Sequence, residues 1–228
     1  MPLPKLEVPT YQCELPSTGQ TIKYRPFLVK EEKVLLVAME SEDEQQIQQA
    51  IVDLLKGCIV SRLKVEKLAM FDLEYLFLMI RSKSVGEELE LKVTCTDDNE
   101  TQVDVAIDLN EIKVVKPDDH SDSVYINDDI TVKMKYPSLD QFIKNNFAQQ
   151  EQSPDQVFEL IADCIDQIID GEDVYEAANS SRKELVGFLE SLTSKQFESV
   201  QEFFSNMPKL THTFSVINPN TKAECEYT

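Results

Sequence analysis

Two histidines and five cysteines are the side chains of this 228-residue chain best suited to metal or nucleophilic chemistry, and their spacing limits what they can do. A zinc site needs four convergent ligands, ordinarily drawn from paired spacings such as CxxC or HxxxH. Here His120 and His212 stand alone, and Cys13, Cys58, Cys95, Cys164 and Cys225 form no such pair. Cys13, Cys95, His212 and Cys225 all fall on predicted hairpins, which leaves open a site assembled from several strands. The expectation is nevertheless no metal and no cofactor, with free thiols in a reducing compartment. No GxSxG elbow is present, and the 5 glycines of the whole chain form neither a GxxxxGK[ST] nor a GxGxxG loop. With no candidate catalytic, cofactor-binding or metal-ligating set, the chain is expected not to be an enzyme.

Acidic side chains supply the one pattern that exceeds this. In SPDQVFELIADCIDQIIDGEDVYE, Val157, Phe158, Ile161, Cys164, Ile165 and Ile168 fit one face of a helix, with Asp155, Glu159, Asp163, Asp166 and Asp170 on the opposite one. Acids three or four residues apart repel, and no Lys or Arg lies between Glu151 and Glu176 to relieve them. A solvated face accounts for this economically. The functional alternative is a docking stripe for a basic partner surface.

The elements that must position these groups are legible from periodicity. Tyr11 to Phe27 predicts a hairpin around Pro16–Gly19. LVKEEKVLLVAME predicts a helix buried through Leu28, Leu35, Leu36 and Met39. A second helix follows, buried through Ile47, Ala50, Ile51, Leu54, Leu55 and Cys58 with Gln48 off that face, its start marked by Ser41 and Glu44. A third, DLEYLFLMIRSKS, buries Leu73, Leu76, Phe77 and Ile80. The period then changes to two. Leu89, Leu91 and Val93, then Val103, Val105 and Ile107, predict a second hairpin, SVYINDDITVKMKYP a third, and THTFSVINPNTKAECEYT a closing one. Between the last two, Ser138 with Gln141, Ser153 with Gln156, Ser181 with Glu184 and Thr193 with Gln196 mark four helix starts, and Pro154 suits a first helical position.

Hairpins and runs of helices imply an α+β fold of antiparallel β-hairpins interleaved with helix pairs, without a parallel doubly wound sheet. The polar break at 118–122 divides an N-terminal hairpin and three-helix unit (1–116) from a C-terminal unit of hairpins and about four helices (117–228). A hydrophobic share of 42% is compatible with real cores. Forty-two acidic against 22 basic residues give a net charge of -20, which opposes nucleic acid and anionic membrane surfaces as partners. No leader-like or membrane-spanning apolar stretch is evident, so the expected location is the cytosol of the cell that makes the protein.

RPFLVKEEKVLLVAMES (Arg25–Ser41), FDLEYLFLMIRSKSVGEELEL (Phe71–Leu91) and MPKLTHTFSVINPNT (Met207–Thr221) resemble the baseplate-hub assembly proteins of T-even-like contractile-tailed bacteriophages, most strongly as far as Leu91. The resemblance implies a non-enzymatic tail-assembly role, as chaperone or hub component, with other baseplate-hub proteins as partners and the virion baseplate as a destination. It carries no catalytic motif. Two other functions compete with it: an acidic nucleic-acid mimic that blocks a DNA-binding protein, and an enzyme with an unrecognised site. The mimic needs acids spread like phosphates, whereas more than half of the net negative charge falls after Val115 and many acids sit at caps.

Overall fold

A computed structural model describes residues 6–139 and 154–228. In chain order the elements are β1 (Tyr11–Glu14), β2 (Thr21–Tyr24), α1 (Val29–Glu40), α2 (Glu44–Cys58), α3 (Met70–Ser84), β3 (Glu88–Thr94), β4 (Gln102–Asp108), β5 (Lys113–Val115), β6 (Ser123–Tyr125) and β7 (Ile130–Met134). They continue with α4 (Pro154–Asp163), β8 (Ile165–Asp170), β9 (Asp173–Glu176), α5 (Arg182–Glu190), α6 (Ser194–Ser205), β10 (Lys209–Thr211), β11 (Phe214–Ile217) and β12 (Glu224–Tyr227). The strands form small antiparallel sheets, so the chain has the predicted α+β fold.

Two compact units form, one from Met1–Val65, Phe71–Val115 and Leu210–Thr228, the other from Glu66–Met70 and Lys116–Lys209. The first unit therefore gives way close to the polar break at 118–122. The closing hairpin, placed by the sequence in the second unit, belongs to the first. The physical reason is apolar cover: Val216 and Cys225 of β11 and β12 bury with Cys95, and Val93, Val103 and Val105 of the β3–β4 hairpin pack against them.

Within the first unit, β1 and β2 pair Cys13 with Ile22, and the turn between them uses Gly19 at φ +68. Ser17 in that turn donates its backbone N–H (3.0 Å) and its hydroxyl to the buried carboxylate of Asp72 at the start of α3. The inner faces of α2 and α3 follow the predicted period, with Leu54, Leu55, Cys58, Leu73, Leu76 and Ile80 buried. Gln48, expected off the face, is half-buried. The start of α2 also differs from expectation. Ser41 ends α1, its hydroxyl donating to the Ala38 carbonyl, Glu42 reverses the chain at φ 55, and Asp43 accepts the Gln46 N–H (3.3 Å) as the cap of α2.

The second unit is a four-stranded antiparallel sheet, β6-β7-β8-β9, packed against helices. Val132, Met134 and Ile165 of the sheet bury with Ile161, Leu185, Leu189, Val200 and Phe203 of α4, α5 and α6. The predicted caps hold at α5 and α6: Ser181 N–H donates to Glu184 (2.7 Å) and Thr193 N–H to Gln196 (2.9 Å), with the hydroxyls accepting in return. Beyond Leu139 the helix expected from Ser138 with Gln141, like the cap at Ser153, lies outside the described residues; α4 begins at Pro154 as expected.

One helix prediction fails. α4 stops at Asp163, and Ile165–Asp170 is strand β8, turning through Gly171 (φ +58) and Glu172 into β9 with Asp170 opposite Asp173. β-branched Ile165, Ile168 and Ile169 favour a pleated strand, and Asp170-Gly171 is a strong hairpin signal. The period-3.6 match across this stretch concealed it.

Candidate functional site

The predicted acidic stripe is divided by this change of structure. Asp155, Glu159 and Asp163 share one side of α4, while Asp166 and Asp170 belong to β8. Two of the acids, Glu159 and Asp163, also have a counter-charge. Arg182, at the start of α5, approaches Asp163 with Nε (3.1 Å) and Nη2, and Glu159 with Nη1 (3.3 Å). The cation lies beyond the interval in which sequence inspection finds none, and the fold returns it to the stripe.

A different surface stands out on α1. Expected to be buried through Leu28, Leu35, Leu36 and Met39, this helix buries only Ala38 fully, with Leu35 half-buried. Val29 is 80% exposed, Val34 55%, Leu36 54%, Val37 57% and Met39 56%, with Leu28 at its start also exposed. Val29, Leu36 and Met39 fall at i, i+7 and i+10, which aligns them along one strip of the helix. Lys30 and Lys33 are exposed beside them. The helix is held by its other side. Glu31 accepts from the Leu28 N–H (2.7 Å) at the N-terminus and pairs with Arg25 (3.0 Å). Burial pushes the Glu31 carboxyl up, but the Arg25 and Leu28 donors outweigh it and hold the group below its ordinary pKa. Single exposed apolar residues are ordinary on a soluble protein; a concentration of them marks an interaction surface.

The whole-chain comparison decides what kind of protein displays this surface. The family model described as T4 bacteriophage base plate protein matches residues 8–228. The chain belongs to that family. The match extends well past Leu91, the part where the resemblance to phage baseplate proteins is strongest. No curated protein and no solved structure matches the chain.

The remaining chemistry-bearing residues of this baseplate protein can then be placed. Cys13 is half-buried in β1, Cys58 ends α2 and Cys164 follows α4; burial pushes their thiols up to about 11, about 11 and about 12, which leaves them protonated and poorly nucleophilic at neutral pH. His212 stacks on Phe214 (6.2 Å between ring centres). His120 is buried between Tyr136 and Phe203, its Nε2 2.9 Å from the Tyr136 hydroxyl, and burial lowers its pKa. It borders a cleft of about 350 Å³ lined also by Asp119, Ser123, Tyr125 and Glu202. The fold does bring two of the four hairpin residues together. Cys95 and Cys225 meet beside Asp97, a convergence that spacing along the chain could not reveal. Among the described residues, no helix is long and apolar enough to cross a membrane.

Proposed function

We propose that this baseplate protein acts in tail assembly by binding other baseplate-hub proteins through the outer face of α1, as an assembly factor or hub component and without catalysis. The exposed strip of Val29, Leu36 and Met39, flanked by exposed Val34 and Val37, carries the proposal. Leaving that much apolar surface in water forgoes roughly 25 cal/mol per Å² available on burial, so a partner that covers it gains binding energy directly. The partner is another protein and not a second copy, because two chains of net charge -20 repel on approach. Such an encounter takes place in the host cytoplasm, where tails assemble, and a retained component would end in the virion baseplate.

The test is co-expression with the hub proteins of the same phage. Leu36→Asp together with Met39→Asp should lower affinity for the bound hub protein at least about tenfold, or 1.4 kcal/mol, and should fail to complement a phage lacking this gene. Mass spectrometry of purified tails then separates a retained component from a transient chaperone. Unchanged co-purification with full complementation would remove α1 as the binding surface.

A further inference from the structure

We infer that the joined tips of the β3–β4 and β11–β12 hairpins form a site for a zinc-class divalent metal ion, with Cys95 Sγ, Cys225 Sγ and one carboxylate oxygen of Asp97 as ligands. These three residues lie 130 positions apart at the extremes, and their ligand atoms all fall within 4.8 Å of one another. Bond lengths of about 2.0–2.3 Å around a tetrahedral ion place neighbouring ligand atoms roughly 3.3–3.8 Å apart. Cys225 Sγ already sits 3.3 Å from Asp97 Oδ1. Only a small contraction separates the cluster from a coordination shell.

The surroundings are those of a held ligand set. Cys95 is wholly buried and Cys225 nearly so, while Asp97 is exposed, so the thiols are shielded and the carboxylate side leaves a fourth position open to water. Asp97 is itself fixed: Asn218 Nδ2, on a wholly buried residue, donates to Oδ1 (2.9 Å), and the Thr221 hydroxyl donates to Oδ2. The same Asn218 amide donates to Asp98 (2.9 Å), and its carbonyl accepts the N–H groups of Asn220 (2.9 Å) and Thr221 (3.3 Å). Hydrogen-bonded partners of this kind set the orientation of a ligating carboxylate. Two thiolates select a soft or borderline ion over magnesium or calcium. On binding, each thiol loses its proton to solvent, and the two thiolates and one carboxylate surround the dication. The ion would cross-link two hairpins distant in sequence, a role independent of the surface on α1.

Cobalt(II) titration of the phosphine-reduced full chain tests this. One equivalent should produce a near-ultraviolet sulfur-to-cobalt charge-transfer band, displaced by zinc, and zinc should raise the melting temperature. The band should vanish in Cys95→Ser and in Cys225→Ser and persist in Cys13→Ser. Asp97→Asn, a change at an exposed side chain, and Thr221→Val should retain the fold and weaken binding by about tenfold or more. Absence of the band in the parent chain, its survival in either Cys95→Ser or Cys225→Ser, or unchanged affinity in Asp97→Asn would overturn the assignment and leave an S–H···O hydrogen bond joining the two hairpins.

Discussion

α1 and α4 are surface helices whose exposed sides have opposite fates. α1 turns valines, a leucine and a methionine toward solvent, and no described element covers them. α4 turns Glu159 and Asp163 outward, and α5 returns Arg182 to neutralise them. By sequence the two helices exchange roles: α1 is the buried one, and α4 is the one whose acids lack a counter-charge, as a solvated face or a docking stripe. The difference shows that the pattern on a helix states which residues share a side and leaves unstated what covers that side. A charged side can be satisfied within the chain by one residue far along it. Covering an apolar side takes an entire second surface, which a partner protein can supply.

Core packing separates α1 from the buried helices most strongly. Leu76 is wholly buried in α3 and Leu54 nearly so in α2. Leu→Ala at either should destabilise by about 2–5 kcal/mol, read from urea unfolding, because the lost contacts leave a cavity. The same change at Leu36 should cost no more than about 0.5 kcal/mol. A Leu36→Ala loss as large as the Leu76→Ala loss would mean that α1 is a core helix after all.

That contrast also marks how far the sequence was legible. The hairpins at Tyr11–Tyr24, Glu88–Asp108, Ser123–Met134 and Phe214–Tyr227 were readable because period-two alternation and turn residues coincide there. β8 was not, because Ile165 and Ile168 continue the helical period of Ile161 while also fitting a strand. The inner faces of α2 and α3 were legible, since their apolar positions are buried on the expected sides. The outer face of α1 was not, because leucine and valine read alike in sequence whether they are buried or exposed. For Cys95 and Cys225, nothing local hints at their meeting; that depends on the last hairpin joining the first unit.

α1 is held in place at its start while its outer side stays open. Glu31, with its side chain 12% exposed, accepts both from Arg25 and from the Leu28 N–H. Glu31→Ala should cost about 1.5–3 kcal/mol, the range for hydrogen bonds to charged groups. The pH dependence has a definite sign. The folded-state pKa lies below the unfolded value of 4.5, so the stabilisation is complete above that value and is lost as pH falls through the lower folded value. Thermal melts of parent and Glu31→Gln should therefore differ at neutral pH and converge in acid. A difference that persists unchanged at low pH would show that Glu31 acts through packing alone.

The smallest effect bears on α4 and is the most discriminating. Arg182 and Glu159 are about half exposed and Asp163 less so, at 53%, 52% and 28%, so solvent screens the pairings and Arg182→Ala should cost only about 0.2–1 kcal/mol. The two-nitrogen approach to Asp163 places the effect toward the upper end, since paired guanidinium–carboxylate bonds hold their geometry better than a lysine would. A double-mutant cycle of Arg182→Ala with Asp163→Asn isolates the interaction, and it should shrink in high salt as exposed charges are screened. If the coupling is present, Glu159 and Asp163 are already engaged within the chain, and neutralising them should leave hub-protein binding unchanged. Zero coupling would mean that the Arg182–Asp163 pairing contributes nothing to stability. Glu159 and Asp163 would then be left as available for a partner as Asp155, and slower, less salt-dependent association of the Glu159→Gln, Asp163→Asn variant with a hub protein would move the binding surface from α1 to α4.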